Sequence, residues 1–442
     1  MKKAALHNLG CKVNAYETEA MQQLLEQAGY EIVPFTERAD VYVINTCSVT
    51  NMADRKSRQM LHKAKKENPD SIVVAAGCYV QTSSEEAARD LSVDIIIGND
   101  KKHELVELIE NCMNQKKNAN EETEGVDDWK ENICDINEKG RAYEALSISR
   151  TEEHTRAFLK VQDGCNQFCT YCIIPYARGR VRSRKLDDIK NEVTSLAKSG
   201  YSEIVLVGIN LSCYGTDIGS ELCDAVDAVC EVDGIERVRL GSLEPELMSI
   251  EVLNRLNKQA KFCPQFHLSL QSGCDETLKR MNRKYTTEEY AKIVDNIRSI
   301  FDNSSITTDI MTGFPGETEE EFEKSCKFAE KIAFAKAHIF PYSRREGTVA
   351  DKAPNQIPNE LKKERANIMI DITEKTRQAF MKSQIGLIQE VLIETRTKDG
   401  MFEGYTKNYT PVLIEGDKDM CGKIVKAKIE KVDGEYCIAS II

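Results

Sequence analysis

Over the first hundred or so residues, short β-branched and apolar runs alternate with longer stretches whose apolar positions recur every three or four residues. The runs predict strands over residues 4–9, 41–46, 71–76 and 94–97, and the periodic stretches predict helices over 15–28, 51–67, 84–91 and 102–114. Such alternation implies an N-terminal domain, residues 1–115, built on an open, largely parallel α/β sheet. Residues 116–145 lose the apolar period and are rich in acidic and polar side chains, so they read as an acidic linker. Strand-helix alternation then resumes, with strands at 158–162, 203–208, 237–240, 265–269, 305–310 and 336–340. Six such units suit a full or partial β/α barrel of the TIM kind within residues 146–375. Residues 361–382 read as one long connecting helix. The runs at 387–395, 401–406, 411–414, 424–431 and 436–442 read as the short strands of a small antiparallel β-barrel, residues 380–442.

A chain of 442 residues exceeds one ordinary core, which agrees with this division. The first residues lack the apolar core of a signal peptide, and no uninterrupted apolar run approaches the roughly 18 residues that span a bilayer. A cytoplasmic protein without a membrane partner is therefore expected. In that setting sixteen cysteines argue against a disulfide framework, so clustered cysteines are read first as metal ligands. Isolated ones, such as Cys112, Cys223 or Cys437, are read as small buried side chains. The net charge of -12 would repel a polyanion if spread evenly, so any RNA contact must come from local basic patches.

Two cysteine sets stand out. Cys165, Cys169 and Cys172 form a CxxxCxxC directly after the first predicted barrel strand, and three thiolates in eight residues can wrap one small soft-metal centre. A 4Fe-4S cube has four irons, so three thiolates leave one iron free for another ligand. A structural zinc would need a fourth Cys or His, and the neighbouring sequence has none. The second set, Cys11, Cys47 and Cys78, is dispersed, but each member lies at or just beyond the end of a predicted strand. Open α/β sheets bind ligands at the carboxyl ends of their strands, so the three should converge in one crevice. A second three-thiolate cluster is expected there, the alternative being small residues in turns.

The cysteine pattern resembles the radical S-adenosylmethionine (SAM) superfamily, and the flanking residues narrow the likeness. Leu9-Gly10-Cys11-Lys12-Val13-Asn14, Asn45-Thr46-Cys47-Ser48-Val49-Thr50, Gly77-Cys78 and the segment from Cys165 to Arg180 resemble the methylthiotransferases of that superfamily. So do Leu268 to Gly273, Asp309 to Thr318 and Tyr342 to Thr348, and the likeness covers essentially the whole chain. The residues around Cys11 and Cys47 are most similar to the bacterial enzymes that act on N6-threonylcarbamoyladenosine in tRNA. Relatives acting on isopentenyladenosine or on a ribosomal-protein aspartate share all six cysteines.

The resemblance implies two 4Fe-4S clusters. Cys165, Cys169 and Cys172 would hold the one that cleaves SAM to a 5′-deoxyadenosyl radical. Cys11, Cys47 and Cys78 would hold an auxiliary one that presents sulfur. It also implies two SAM molecules per product, a tRNA anticodon stem-loop as partner, a sulfur donor, an electron donor such as flavodoxin or ferredoxin, and a C-terminal RNA-binding TRAM domain of OB-like form. An unactivated purine C–H makes a cofactor radical necessary, because no side-chain base removes such a hydrogen as a proton.

Candidate cofactor contacts are Tyr171 between the cysteines and, at predicted strand ends, Gly208, Asn210, Glu244, Gln271 and Gly313. Tyr171 also reads as a core aromatic and Gly313 as part of a tight turn. Arg178, Arg180, Arg182, Arg184 and Lys185 form the densest basic run and are the candidate phosphate contacts. Arg55, Lys56, Arg58, Lys63, Lys65 and Lys66 offer a second basic surface beside Cys47. The rival reading is an iron-sulfur carrier or redox sensor with an RNA-binding tail, but carriers usually ligate every iron with protein.

Overall fold

A computed structural model describes residues 1–118, 131–138, 140–151, 155–416 and 419–442. They form two compact units, one comprising Met1–Ile148, Gln162–Ser183 and Ser343–Asp351, the other Ser149–Val161, Arg184–Tyr342 and Lys352–Ile442.

The first unit opens with β1 (Lys3–Asn8), α1 (Lys12–Gln27), β2 (Glu31–Ile32), β3 (Val41–Thr46), α2 (Asn51–Glu67), β4 (Ile72–Gly77), α3 (Cys78–Thr82), α4 (Ser84–Arg89), β5 (Ile95–Ile97), α5 (Leu105–Asn118) and β6 (Glu131–Asn132). The strands make one parallel sheet in the order β2-β1-β3-β4-β5-β6. Both faces are covered, which is why β3 and β4 read as continuous apolar runs and not as alternations. Val41, Val43 and Val74 pack with Met21, Leu25 and Ile109 on one face, whereas Tyr42, Ile44 and Val73 pack with Leu61 and Ala64 on the other. Part of the expected linker belongs to this unit. β6 pairs with β5, Ile136 is buried, and Arg141 pairs with Asp100 at 2.5 Å. The apolar residues that seat it are too sparse to carry a period. Residues 119–130 and 139 of that segment lie outside the described residues.

The next elements are β7 (Ala157–Lys160), β8 (Gln162–Asp163), α6 (Ile174–Arg178) and β9 (Arg182–Ser183). β7 belongs to the second unit, while the β8–α6–β9 loop with its CxxxCxxC belongs to the first. By its contacts the chain returns to the first unit for Gln162–Ser183 and again for Ser343–Asp351.

The second unit continues with α7 (Leu186–Lys198), β10 (Glu203–Val207), α8 (Leu222–Cys230), β11 (Arg237–Leu240), β12 (Ser242–Leu243), α9 (Ile250–Asn257), β13 (Gln265–Leu268), α10 (Asp275–Arg280), α11 (Thr287–Ile300), β14 (Ser305–Thr312), α12 (Glu319–Ile332), β15 (Lys336–Pro341) and α13 (Asn359–Ser383). All six expected strands are present in a parallel, open barrel running β7-β10-β11 and then β12-β13-β14-β15. The two-residue β12, set off from β11 by Gly241, starts the second sheet beside β13.

The chain closes with β16 (Ile388–Arg396), β17 (Phe402–Thr406), β18 (Pro411–Ile414), β19 (Ile424–Asp433) and β20 (Tyr436–Ile441), a closed barrel around Val391, Phe402, Val412, Ile429 and Cys437. Four of its pairings are antiparallel as expected, but β18 and β20 run parallel. Cβ-free Gly404 lets β17 lie against β16, since a methyl group there would sit 2.3 Å from the Leu392 carbonyl oxygen.

This small barrel docks on the amino-terminal ends of the parallel strands. Arg237 opens β11 and donates to the carbonyls of Glu390 and Tyr405; Arg239 donates to those of Thr406 and Lys407. Ser305 opens β14 and donates to the Asn408 carbonyl at 2.6 Å. Buried Glu203 pairs with both arginines, and Arg156 stacks on Tyr405 and Tyr409 while pairing with Glu394 at 2.8 Å.

Candidate metal centres and cofactor site

The dispersed cysteines are brought together as the strand-end rule requires. β1, β3 and β4 are neighbours, and Cys11, Cys47 and Cys78 follow their carboxyl ends. Two side chains lock the three turns to one another. Asn14 donates to the carbonyls of Leu9 and Thr46, joining the first turn to the second. The Thr46 hydroxyl donates to the Ala76 carbonyl and accepts from the Tyr79 amide, joining the second to the third.

The glycines before Cys11 and Cys78 are there for space and conformation. Gly10 has φ +106°, and a Cβ on it would lie 2.8 Å from Cys47 Sγ; Gly77 has φ +100°, and a Cβ would lie 2.6 Å from Asn45 Oδ1. Burial pushes the Cys47 thiol up to about 11, with Cys78 and Cys11 adding and Arg178 opposing. Three thiols that feel one another in a glycine-lined cradle fit the soft donor set of an iron-sulfur cube. Among the described residues no three His, Cys, Asp or Glu side chains gather closely enough to chelate one ion directly. A cube asks only for one thiolate on each of three irons.

The CxxxCxxC loop is held at both ends. Gly164 and Gly179 take φ +72° and +71°, and a Cβ on either would run into backbone, at Arg180 and at Ile136 respectively. The Cys165 amide donates to the Gly179 carbonyl, and the Gln167 amide points at Cys165 Sγ, 3.4 Å away. The Ala350 amide of the Ser343–Asp351 segment donates to Thr170, inside the motif. That segment also carries Arg345, buried against Ser48 at 2.6 Å and paired with Asp54, so it braces the Cys47 turn as well. All three motif cysteines are partly exposed, as is Tyr171 between them.

The basic run does not form the solvent-facing stripe that its sequence suggests. Arg178 is fully buried, with Nη1 on Glu17 at 2.6 Å and on Asp163 at 3.2 Å, and Nη2 on Asn14 at 2.6 Å. Arg182 is buried beside Asp163, and Arg184 is buried on Glu192 at 2.5 Å. These three are corrected from phosphate contacts to internal cations, because the buried carboxylates of Glu17, Asp163 and Glu192 claim them. Arg180 and Lys185 remain exposed, with Arg180 lying over the Phe168 ring at 4.6 Å. On α2, Arg55, Lys56, Lys63 and Lys66 are exposed, whereas Lys65 pairs with Asp94 and Arg58 stacks on Tyr79.

In the second unit the expected cofactor contacts lie at the carboxyl ends of the parallel strands. Gly208 and Asn210 follow β10, Glu244 follows β12, Gln271 follows β13 and Gly313 follows β14. Gln271 is the most telling. Hydrogen bonds to Asp309 and from Met311 hold its backbone at φ +65°, and its buried Oε1 has no hydrogen-bond partner among the described residues. A buried acceptor left this way is a cost unless a ligand supplies the donor, so this position fits a bound cofactor. Glu244 is engaged by Arg283, although burial still holds its carboxyl above the usual range. At Gly313 a Cβ would meet the Lys362 side chain at 2.4 Å, so its bareness serves the approach of α13.

Sequence reasoning missed a polar row across three adjacent strands. The parallel register sets His267 beside Thr307 and Asp309 beside His338, and His267 Nε2 lies 3.4 Å from Asp309. Burial raises the Asp309 carboxyl, but the His267 hydrogen bond and the charges of His267 and His338 bring it below its ordinary value. The available signal was a histidine or an aspartate inside each of three consecutive predicted strands.

Comparison with known proteins agrees with this geometry. Residues 3–98 match the uncharacterized protein family UPF0004, residues 159–329 the Radical SAM superfamily and residues 382–442 the TRAM domain. The chain is 39% identical to the threonylcarbamoyladenosine tRNA methylthiotransferase MtaB of Bacillus subtilis, over 99% of this chain and 95% of that protein. It is 35% identical to the tRNA-2-methylthio-N(6)-dimethylallyladenosine synthase of Acetivibrio thermocellus, over 98% of this chain and 89% of that one. Its fold resembles the radical S-adenosylmethionine methyltransferase TsrM of Kitasatospora setae, solved with cobalamin and a 4Fe-4S cluster, with TM-score 0.58 and 15% identity over 79% of this chain and 74% of that one.

Proposed function

The chain belongs to the methylthiotransferase family of radical SAM enzymes, and from that premise we propose that it converts N6-threonylcarbamoyladenosine beside the tRNA anticodon to its 2-methylthio derivative. Membership brings a 4Fe-4S cluster and SAM as cofactors. The observation that carries the substrate reading is 39% identity along almost the whole of a threonylcarbamoyladenosine enzyme, against 35% for the dimethylallyladenosine relative.

In this reading Cys165, Cys169 and Cys172 hold one cluster, and Cys11, Cys47 and Cys78 hold a second. When bound, the cofactors supply the radical that removes the unactivated purine hydrogen, the sulfur and, from a second SAM, the methyl group. The chain's own part is to hold and orient. The two glycine-lined loops fix the thiols, Gln271 and Asn210 orient the cofactor's polar groups at the strand ends, and Arg180 and Lys185 meet RNA phosphates. The C-terminal barrel, which matches the TRAM domain, grips the RNA. A one-electron donor of flavodoxin or ferredoxin type and a separate sulfur donor complete the system, in the cytoplasm. Among the described residues no helix is long and apolar enough to cross a membrane.

Mass spectrometry of tRNA nucleosides from a strain lacking the gene tests the substrate. The expected result is loss of 2-methylthio-N6-threonylcarbamoyladenosine with its precursor accumulating, and recovery on complementation. Loss of the isopentenyl analogue instead transfers the assignment to that substrate, and unchanged tRNA points to a protein side chain. Replacing Cys47 with Ala should lower iron to about half while 5′-deoxyadenosine is still formed; undiminished iron contradicts the second cluster.

A further inference from the structure

We propose that Arg178 is a positioning residue that supplies the fixed counter-charge for the cluster at Cys11, Cys47 and Cys78 and ties the turns that carry it to the CxxxCxxC loop. The inference rests on the two-cluster reading above.

Arg178 ends α6, six residues beyond Cys172, yet its side chain reaches across the first unit to α1. Its guanidinium fork takes both oxygens of Glu17 and the side-chain oxygen of Asn14, the residue that joins the Cys11 and Cys47 turns. The same fork holds Asp163, two residues before Cys165. A second link runs alongside, because Asn99 Nδ2 lies 3.5 Å from Cys78 Sγ and donates to the Ala177 carbonyl of α6 at 2.8 Å. Lys102 closes the circuit by pairing with Glu17 and donating to Asn99. Each cysteine loop is thus hydrogen-bonded to the other through planar, rigid groups, and a bidentate guanidinium fixes orientation as well as distance.

The charges point the same way. Arg178, Lys102 and Arg182 face Glu17 and Asp163, all with side chains at most 5% exposed. Summed over these five side chains the charge is one positive, which is expensive in a low-dielectric interior unless an anion lies beside it. An oxidised cube carries two positive charges, and three thiolates turn it into a single net negative charge, which matches the excess in magnitude and opposes it in sign. Net charge near a cluster sets its reduction potential, so the effect is measurable without turnover.

The test uses the full-length chain with Cys165, Cys169 and Cys172 all replaced by Ala, reconstituted without oxygen and titrated redox-wise by electron paramagnetic resonance. Arg178→Met should lower the midpoint potential, because the extra electron loses its nearby cation. Glu17→Gln should raise it. Arg178→Lys should leave it near the parent value, and Arg178→Met with Glu17→Gln should return it toward that value. Hydrogen exchange of the metal-free chain should show residues 9–17 and 163–180 loosened together in Arg178→Met and in the double variant. If Arg178→Met does not fold, Glu17→Gln and Arg178→Lys carry the comparison. Potentials that stay put, or that move the same way for Arg178→Met and Glu17→Gln, overturn the inference while leaving two clusters standing. A background that binds no iron overturns the two-cluster reading and the inference with it.

Discussion

At the scale of single residues, the thiols are only as good as the bare backbone beside them. Gly10→Ala would force a methyl to within 2.8 Å of Cys47 Sγ at φ +106°, so it should cost about 1–3 kcal/mol and also reduce iron bound at the dispersed site. Gly200→Ala is the control. Its φ is +94°, but nothing lies within 4 Å, so thermal melting should show strain while an iron assay shows full loading. The gathering of Cys11, Cys47 and Cys78 was legible because strand-end placement could be read from pattern alone. The fate of Arg178 could not. Its partners Glu17 and Asn14 lie 161 and 164 residues away, and a basic run looks the same in sequence whether it faces water or buried carboxylates.

At the scale of elements, β3 and α2 occupy the predicted residues, since a doubly covered parallel strand and a capped amphipathic helix each carry a strong local signal. α1 begins three residues early, with Cys11 as its extended N-cap. The parallel pairing of β18 with β20 had no local signature, because strand direction is set by the path of the chain between them. Residues 140–145 read as linker in sequence, yet Glu144 is buried and bonded to His103. That hydrogen bond raises the His103 imidazole above its ordinary 6.5 against the opposing effect of burial, with the charges of Glu144, Glu104 and Asp100 adding. A raised histidine stabilises the fold fully below its unfolded value and loses that contribution as pH climbs through the folded one. Denaturant melts between about pH 5.5 and pH 8.5 should show His103→Gln clearly less stable than the parent at the acid end, with the gap closing toward alkaline pH. A gap that widens with pH contradicts the assignment.

At the scale of the whole molecule, the chain joins a sheet that gathers one set of thiols, a loop from the middle of the sequence that brings the other, and a parallel barrel whose strand ends offer Gln271. The net charge of -12 gives RNA no general welcome, so binding should depend on a few exposed cations and weaken with salt by roughly one unit of log–log slope for each of them. Glu203 is the keystone between the parallel strands and the C-terminal barrel, facing Arg156, Arg237 and Arg239 at once. Glu203→Gln leaves buried guanidinium charge uncompensated and should cost about 3–5 kcal/mol. Limited proteolysis should then release the segment beyond α13 first, and a digestion pattern like that of the parent would show that the barrel is held by other contacts.

Because the terminal barrel grips the amino ends of the parallel strands while Gln271 sits at their far ends, the second unit acts as a ruler. The eight residues of β14 alone rise about 26 Å. A nucleic acid touching both ends must bridge that height, so a base-sized fragment can reach one end only.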